Sequence, residues 1–132
     1  MLTDDQFARI LEFRVALRRF GRFSEEQAAK TDMTAAQYQL LLAVRGHDDP
    51  RGPTIADVAR ALLVRHHSAV GLVDRTQDLG LVERRRDPDD QRLARLALTP
   101  QGHDRVNALA QTHLKELHHL AQVLGVLLKG DS

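Results

Sequence analysis

Cysteine is absent from the 132-residue sequence. Its absence excludes disulfides, thiolate metal sites and thiol-based redox sensing. The N-terminus also lacks the basic segment and unbroken apolar run of a secretory signal, and no apolar stretch approaches membrane-spanning length. We therefore expect a cytoplasmic protein without membrane contact.

Aromatic residues are scarce, at 4% of the sequence with no tryptophan, which argues against the base-stacking surfaces that bind single strands. The net charge is only +1, so any contact with nucleic acid must come from locally clustered cations. Metalloprotease helices, nucleophile elbows and phosphate-binding glycine loops are all missing as sequence motifs. We therefore predict that the protein is not an enzyme and needs no cofactor.

The segment from Thr54 to Thr99 organises the chain, because it has the pattern of a helix, a short turn, a second helix and a hairpin. In the second helix, Leu72, Val73 and Leu79 form an apolar side, and Gly80 suits the helix end. The side chains predicted to face outward are His66, His67, Ser68, Arg75 and Gln77. Such a helix could present polar groups to base edges in a major groove. The alternative is a surface helix with an ordinary solvated face.

Two short strands are predicted after this helix, at Leu81–Arg86 and Leu93–Leu98, with turn-forming residues between them. The hairpin is densely charged. Charge of this kind is typical of a solvated sheet edge that avoids pairing with other strands. Because the hairpin directly follows the helix pair, its tip could instead contact DNA.

The outer parts of the chain are predicted to be helical. Thr3 and Thr34 begin helices with capping boxes, and Gly21 with Ser24 is expected to kink or divide the first helix. Thr99-Pro100 starts a long C-terminal helix with an apolar stripe. This helix could pack on the N-terminal helix of its own chain or pair with a second subunit, and both hold in an intertwined dimer.

Taken together, these stretches resemble the MarR family of winged helix-turn-helix regulators, from about the first helix to Leu128. The most specific stretch is Arg86-Asp-Pro-Asp-Asp-Gln-Arg92, followed by Leu96-Ala-Leu-Thr-Pro-Gln-Gly102. The other matching stretches are Thr34-Ala-Ala-Gln-Tyr-Gln-Leu-Leu41, Thr54-Ile-Ala-Asp-Val-Ala59, Leu72-Val-Asp-Arg75 and Leu79-Gly-Leu-Val-Glu-Arg84.

The resemblance implies a mainly α fold with a small β-hairpin wing, in which dimerisation helices flank a winged helix-turn-helix. Residues 1–32 and 100–132 would dimerise, and residues 33–99 would bind DNA. The implied function is a homodimeric, sequence-specific regulator that represses a nearby promoter from a pseudo-palindromic duplex and is released by a small aromatic ligand. Half-sites would lie roughly 34–36 Å apart. The alternative is a winged-helix protein-interaction module that does not bind DNA.

The resemblance also assigns residues. The first turn of the recognition helix would approach bases and phosphates, Arg92 would be the wing arginine, and Asp90 would hold the wing in shape. Arg84 to Arg86 are either phosphate contacts or strand-edge charges. The predicted DNA-binding set is Arg65, His66, His67, Ser68, Arg75, Arg84, Arg86 and Arg92.

Two positions depart from the family pattern. Arg65 stands where relatives often place a serine or threonine N-cap, and arginine cannot accept a hydrogen bond from the exposed amides. Gly71 stands where relatives often carry a polar or basic side chain that contacts DNA bases. Base contacts are therefore expected to shift toward His66, His67 and Ser68.

A ligand cleft near the first and second helices could be lined by Phe13, Arg14, Phe20 and Tyr38, although core packing explains these aromatic residues equally well. No metal site is predicted, because no two histidines have the i, i+4 spacing that places both on one helix face. His113 lies on the apolar stripe and is expected to be a hydrogen-bonded histidine at an interface.

Overall fold

The computed structural model describes residues 1–129, which form five helices and one two-stranded antiparallel sheet. In chain order these are α1 (Asp4–Ala29), α2 (Ala35–Arg45), α3 (Ile55–Leu62), α4 (His66–Asp78), β1 (Val82–Arg86), β2 (Ala94–Leu98) and α5 (Pro100–Lys129). The predicted fold class, a mainly helical chain with a β-hairpin wing, is confirmed. No helix in the described range is long and apolar enough to cross a membrane.

Capping boxes start the first three helices, as their sequences predict. Thr3, Thr34 and Thr54 each accept a hydrogen bond from the amide three residues later, and the side chain at that later position accepts one from the threonine amide. Two otherwise unpaired groups are satisfied at each helix start. α2 also ends where predicted, with Gly46 as its C-cap.

The predicted division of α1 is wrong, since the helix is continuous through Gly21 and Ser24. Ser24 is buried and forms a hydrogen bond with His113 of α5 instead of capping a new helix. The side chain of Ser24 is therefore engaged in packing α1 on α5. The two helices run antiparallel, since Leu2 lies near Leu127 while Ser24 lies near His113.

The core lies where α2, α3, α4, the sheet and the start of α5 meet. Its largest fully buried side chains include Leu40, Leu41, Val58, Val73, Leu81, Leu96 and Val106. Leu79, predicted to be on the apolar side of α4, is 49% exposed. It follows the last turn of the helix, where Leu81 and Val82 fill the interior. Thr76 takes the inward position, and its hydroxyl donates to the Leu72 carbonyl over 2.7 Å.

Three helices end in the same backbone motif, in which one residue adopts the left-handed conformation and two amides bond back to the last turn. At the end of α3, the Leu63 amide donates to the Arg60 carbonyl over 3.4 Å, and the Val64 amide donates to the Ala59 carbonyl over 3.0 Å. The left-handed residues are Asp32, Leu63 and Gly80, with φ of 59°, 57° and 76°. Glycine adopts this conformation freely and aspartate tolerates it, whereas for other residues it costs roughly 1–2 kcal/mol.

The sheet connects the helix pair to α5. β1 and β2 pair from Val82 opposite Leu98 to Arg86 opposite Ala94, and the Leu96 amide donates to the Pro53 carbonyl just before α3. At the start of α5, a Cβ on Gly102 would lie 2.1 Å from the Leu81 carbonyl oxygen. Only glycine permits this close approach, so α5 is held directly against the base of the hairpin.

Candidate nucleic-acid interface

The first turn of α4 carries, on its exposed side, the residues that are predicted to contact DNA bases and phosphates. Arg65, His66, His67 and Ser68 are all exposed and adjacent. The opposite face is buried through Ala69, Leu72, Val73 and Thr76, at the spacing of one helix face. No aspartate or glutamate occurs from Val58 to Val73, so no acidic side chain along this segment offsets the positive groups.

Arg65 is the N-cap of α4 and forms no capping hydrogen bond through its side chain within the described chain. Its backbone is extended, with φ of −70° and ψ of 154°, as an N-cap requires. The departure expected from the sequence is therefore present, and the first-turn amides of α4 have no side-chain acceptor from this residue. They can donate to water or to an anion from outside.

Arg75 lies over the surface of Gly71. A Cβ built on Gly71 would come within 3.1 Å of Arg75 Nη1, so the guanidinium is folded back one turn toward the helix N-terminus. The sequence indicated only that Gly71 has no side chain with which to contact DNA bases. In the structure, its vacant space allows a basic group to lie closer to the first turn.

The predicted arginines of β1 differ in their partners. Arg84 Nη2 lies 2.6 Å from Asp74 Oδ1, and Arg84 also contacts Gln77, so it ties β1 to α4. Its role as a phosphate contact remains a prediction. Arg86 is exposed and forms no ion pair with any residue from 1 to 129.

At the wing tip, the structure brings together the predicted Arg92 and Asp90. The Arg92 side chain is 90% exposed. It donates from Nε and Nη2 to the two carboxylate oxygens of Asp90, over 3.1 and 3.2 Å. The Asp90 carboxylate also accepts the Arg92 amide over 3.0 Å. These bonds from Arg92 lower the pKa of Asp90, so the carboxylate stays ionised and orients the guanidinium.

Asp87 is the buried acid of the wing, which the sequence interpretation missed. It is 2% exposed and accepts the amides of Asp89 and Asp90 over 2.7 and 2.9 Å. Arg95 Nε donates to it over 2.7 Å, and Arg95 Nη1 donates to the Gly52 carbonyl over 3.1 Å. The Arg95 hydrogen bond and then the backbone amide of Asp89 lower the pKa of Asp87. The Asp-Pro-Asp-Asp run could have indicated a side-chain-stabilised turn, but not its arginine partner.

The four residues of the predicted ligand cleft do not line one described cavity. Phe20 lines a cavity of about 520 Å³ between α1 and α5, and Phe13 lines a separate one of about 350 Å³. Arg14 is exposed on α1, and Tyr38 is buried in the core. Phe13 and Phe20 are seven residues apart on α1 and therefore lie about two helical turns apart along its axis, and a single cleft that includes all four residues remains a prediction.

Tyr38 stacks on His113, with ring centroids 4.5 Å apart, and burial raises the pKa of the tyrosine. His113 Nδ1 donates to the Leu109 carbonyl over 2.7 Å, because a carbonyl can only accept. Nε2 of the ring forms a hydrogen bond with the Ser24 hydroxyl over 2.9 Å. His113 is hydrogen-bonded as expected, and it joins α1, α2 and α5 of one chain. Within residues 1–129, no three His, Asp or Glu side chains are placed to hold a metal ion.

The model of the MarR family matches residues 31–93, which include α2, α3, α4, β1 and the wing turn. A search of the curated proteins found no match. Among solved structures, a mutant MarR from E. coli complexed with operator DNA is 24% identical, with a TM-score of 0.71, covering 89% of this chain and 88% of that one.

Two further structures share the fold. MepR from S. aureus, in a DNA complex, is 21% identical with a TM-score of 0.74, covering 92% of this chain and 85% of that one. BpsR of Bordetella bronchiseptica, whose DNA binding is regulated by 6-hydroxynicotinic acid, is 21% identical with a TM-score of 0.67, covering 90% and 89%. The MarR family model thus matches the helix-turn-helix and wing turn of this chain, and these solved structures share the fold of the described chain.

Proposed function

We propose that the protein is a sequence-specific, double-stranded DNA-binding transcriptional regulator that acts in the cytoplasm as a homodimeric repressor of a nearby promoter. The observation that carries this proposal is the exposed, acid-free first turn of α4 beside a wing with an arginine at its tip. Arg84 and Asp74 hold this wing against α4, so both elements belong to one surface. The complexes of MarR and MepR with DNA support the assignment.

Each part of this surface has a distinct expected role. Arg65, His66, His67 and Ser68 would reach base edges and phosphates in the major groove, and Arg75 would add positive charge beside them. Arg92 would enter the adjacent minor groove, where the negative potential favours arginine. Arg86 would contact a phosphate.

The dimer is proposed to form through α1 and α5, with residues 1–32 and 100–132 as its contact regions, of which 130–132 lie outside the described residues. Leu2, just before α1, and both helices expose large apolar side chains in the single chain; those on the helices are Phe7, Ile10, Leu11, Leu17, Leu114, Leu117, Val126 and Leu128. Exposed apolar patches of this kind mark interaction surfaces. A two-fold dimer would present its recognition helices to half-sites of a pseudo-palindromic duplex about one helical turn apart.

A small aromatic effector is proposed as the ligand that releases DNA. The regulation of BpsR by 6-hydroxynicotinic acid supports this class of ligand. Of the residues predicted to form the cleft, Phe20 is the one in the larger cavity, which Arg19 and His119 also line. Glu12 and Glu116 line the same cavity, so its charges are mixed, and the aromatic ring and apolar side chains suit a small aromatic ligand without selecting an acid.

Fluorescence anisotropy with duplexes from the protein's own promoter region, at several salt concentrations, tests DNA binding. We expect affinity to fall steeply with salt, because each neutralised phosphate releases counterions. Arg92→Ala should weaken binding and lower the slope of log affinity against log salt by about 1 per wing. Arg22→Ala, an exposed arginine on α1 outside the winged region, is the matched control and should change neither quantity.

Unchanged affinity and slope in Arg92→Ala would contradict the role of the wing. If the wild-type protein binds no duplex even in dilute buffer, the proposal fails as a whole. The alternative, a winged-helix protein-interaction module without DNA binding, would then take its place.

A further inference from the structure

Leu63 has a backbone conformation that is unfavourable for a residue with a leucine side chain. It lies in the turn between α3 and α4 with φ of 57° and ψ of 44°, in the left-handed region. The two other helix ends with the same motif have Asp32 and Gly80 at this position, which tolerate or prefer it. A leucine there is strained, and either of the other residue types would form the same backbone bonds with less strain.

Packing within the chain does not offset this strain. The Leu63 side chain is 91% exposed, and the neighbouring Val64 is 40% exposed. We call these two residues the apolar turn. A strained, solvated leucine contributes little to the stability of the folded chain, and residues of this kind are typical of functional sites.

The position of the apolar turn indicates what it contacts. It immediately precedes Arg65, His66 and His67 and lies in the same segment without acidic residues, from Val58 to Val73. The proposed DNA surface therefore continues directly into it. In the major groove the distinct apolar group on a base edge is the C5-methyl group of thymine.

We propose that Leu63, supported by Val64, contacts a thymine methyl group at the edge of each half-site and so contributes to sequence specificity. This inference rests on the proposed function, since it requires that α4 enters a major groove. Burying one methyl group against an aliphatic side chain changes affinity by about fourfold.

The test uses a duplex selected by the protein from a random pool, in which each thymine is replaced in turn by deoxyuridine. This replacement removes only the methyl group. We expect wild-type affinity to fall about fourfold at one position in each half-site. Leu63→Gly should bind the thymine duplex several-fold more weakly than wild type and should be insensitive to deoxyuridine at that position.

Thermal unfolding separates this role from a structural one. Leu63→Gly removes the strain, so its melting temperature should equal or exceed that of wild type while its affinity falls. Leu63→Asn, which also tolerates the left-handed conformation, should show the same loss of affinity and the same insensitivity. Leu79→Ala is the matched control, because Leu79 is an exposed leucine at the other end of α4, and its deoxyuridine profile should equal that of wild type.

Three outcomes would overturn the inference. Wild-type affinity could be unaffected by deoxyuridine at every position, Leu63→Gly could remain as sensitive as wild type, or Leu63→Gly could bind with full affinity. A wild-type protein that selects no duplex at all would overturn the proposed function first. Binding without any methyl dependence would overturn only the role of the apolar turn.

Discussion

At the scale of single residues, Gly71 and Arg75 show how a missing side chain changes a surface. The space above Gly71 is occupied by the guanidinium of Arg75, one turn further along α4. The glycine weakens the helix but lets a positive group lie near the first turn. One substitution can separate these effects, because the first changes the stability of the protein and the second changes its affinity for DNA.

Gly71→Ala should raise the free energy of unfolding by about 0.5–1 kcal/mol, since alanine is favoured over glycine inside a helix. The added Cβ would displace the flexible Arg75 guanidinium, so DNA affinity should fall several-fold. Chemical denaturation and anisotropy titration measure the two quantities. Gly21→Ala is the control, because nothing lies within 4 Å of a Cβ at that helical position, and it should stabilise the protein with DNA affinity unchanged. Unweakened DNA binding by Gly71→Ala would show that the position of Arg75 is unimportant.

Which residues face outward on α4 could be predicted from sequence, because helical spacing separates Leu72 and Val73 from His66 and His67. The conformation of Arg75 could not, since it depends on a flexible side chain settling into a vacant space. The strain at Leu63 could not be predicted either, because the sequence does not show which residue of a turn takes a positive φ.

At the scale of elements, the wing depends on the buried pair of Asp87 and Arg95. The carboxylate satisfies two turn amides, and the guanidinium reaches the Gly52 carbonyl before α3. The wing tip is thereby fixed relative to the helix pair. The strands and their turn were predictable from local pattern, whereas this pairing joins residues eight positions apart with a third segment and needed the folded chain.

Asp87 predicts a pH dependence. Because its pKa is lowered in the folded protein, it contributes stability above its unfolded pKa of about 4, and this contribution is lost as the pH falls through the lower folded value. Asp87→Asn should therefore melt at a lower temperature than wild type at pH 7, and the gap should narrow below about pH 4. Calorimetry across this range provides the measurement.

The matched control for this series is Asp48→Asn, which changes an exposed loop residue with no ion pair among residues 1–129. Its melting curve should follow wild type at each pH. A gap between Asp87→Asn and wild type that stays constant down to pH 2 would show that the carboxylate's charge is irrelevant there.

At the scale of the whole molecule, α1 and α5 pack antiparallel and still expose a broad apolar surface. Both helices and their capping were predictable from sequence. Whether α5 contacts its own α1 or that of a partner was not, because an apolar stripe does not identify what covers it. The structure shows the contact within the chain, through Ser24 and His113, and the remaining surface supports the proposed dimer.

Leu117→Glu tests that dimer, since a carboxylate on this exposed part of α5 would have to be buried without a partner. We expect sedimentation to show a shift toward monomer. DNA affinity should fall on the order of 100-fold, because two half-sites would no longer be bound together. Leu42→Glu, on an exposed position of α2, should remain dimeric. A fully dimeric Leu117→Glu variant would place the subunit contact elsewhere.

The hairpin arginines with acidic partners have a consequence for how the protein searches a chromosome. Arg84, Arg85 and Arg92 each already hold a carboxylate of the same chain, and that carboxylate must be released before a phosphate can replace it. Encounters with unrelated sequence therefore gain little from these three cations, and attraction to random DNA depends largely on the start of α4 and on Arg86. We expect short dwell times away from the operator, so that few copies of the regulator are sequestered by the bulk of the genome.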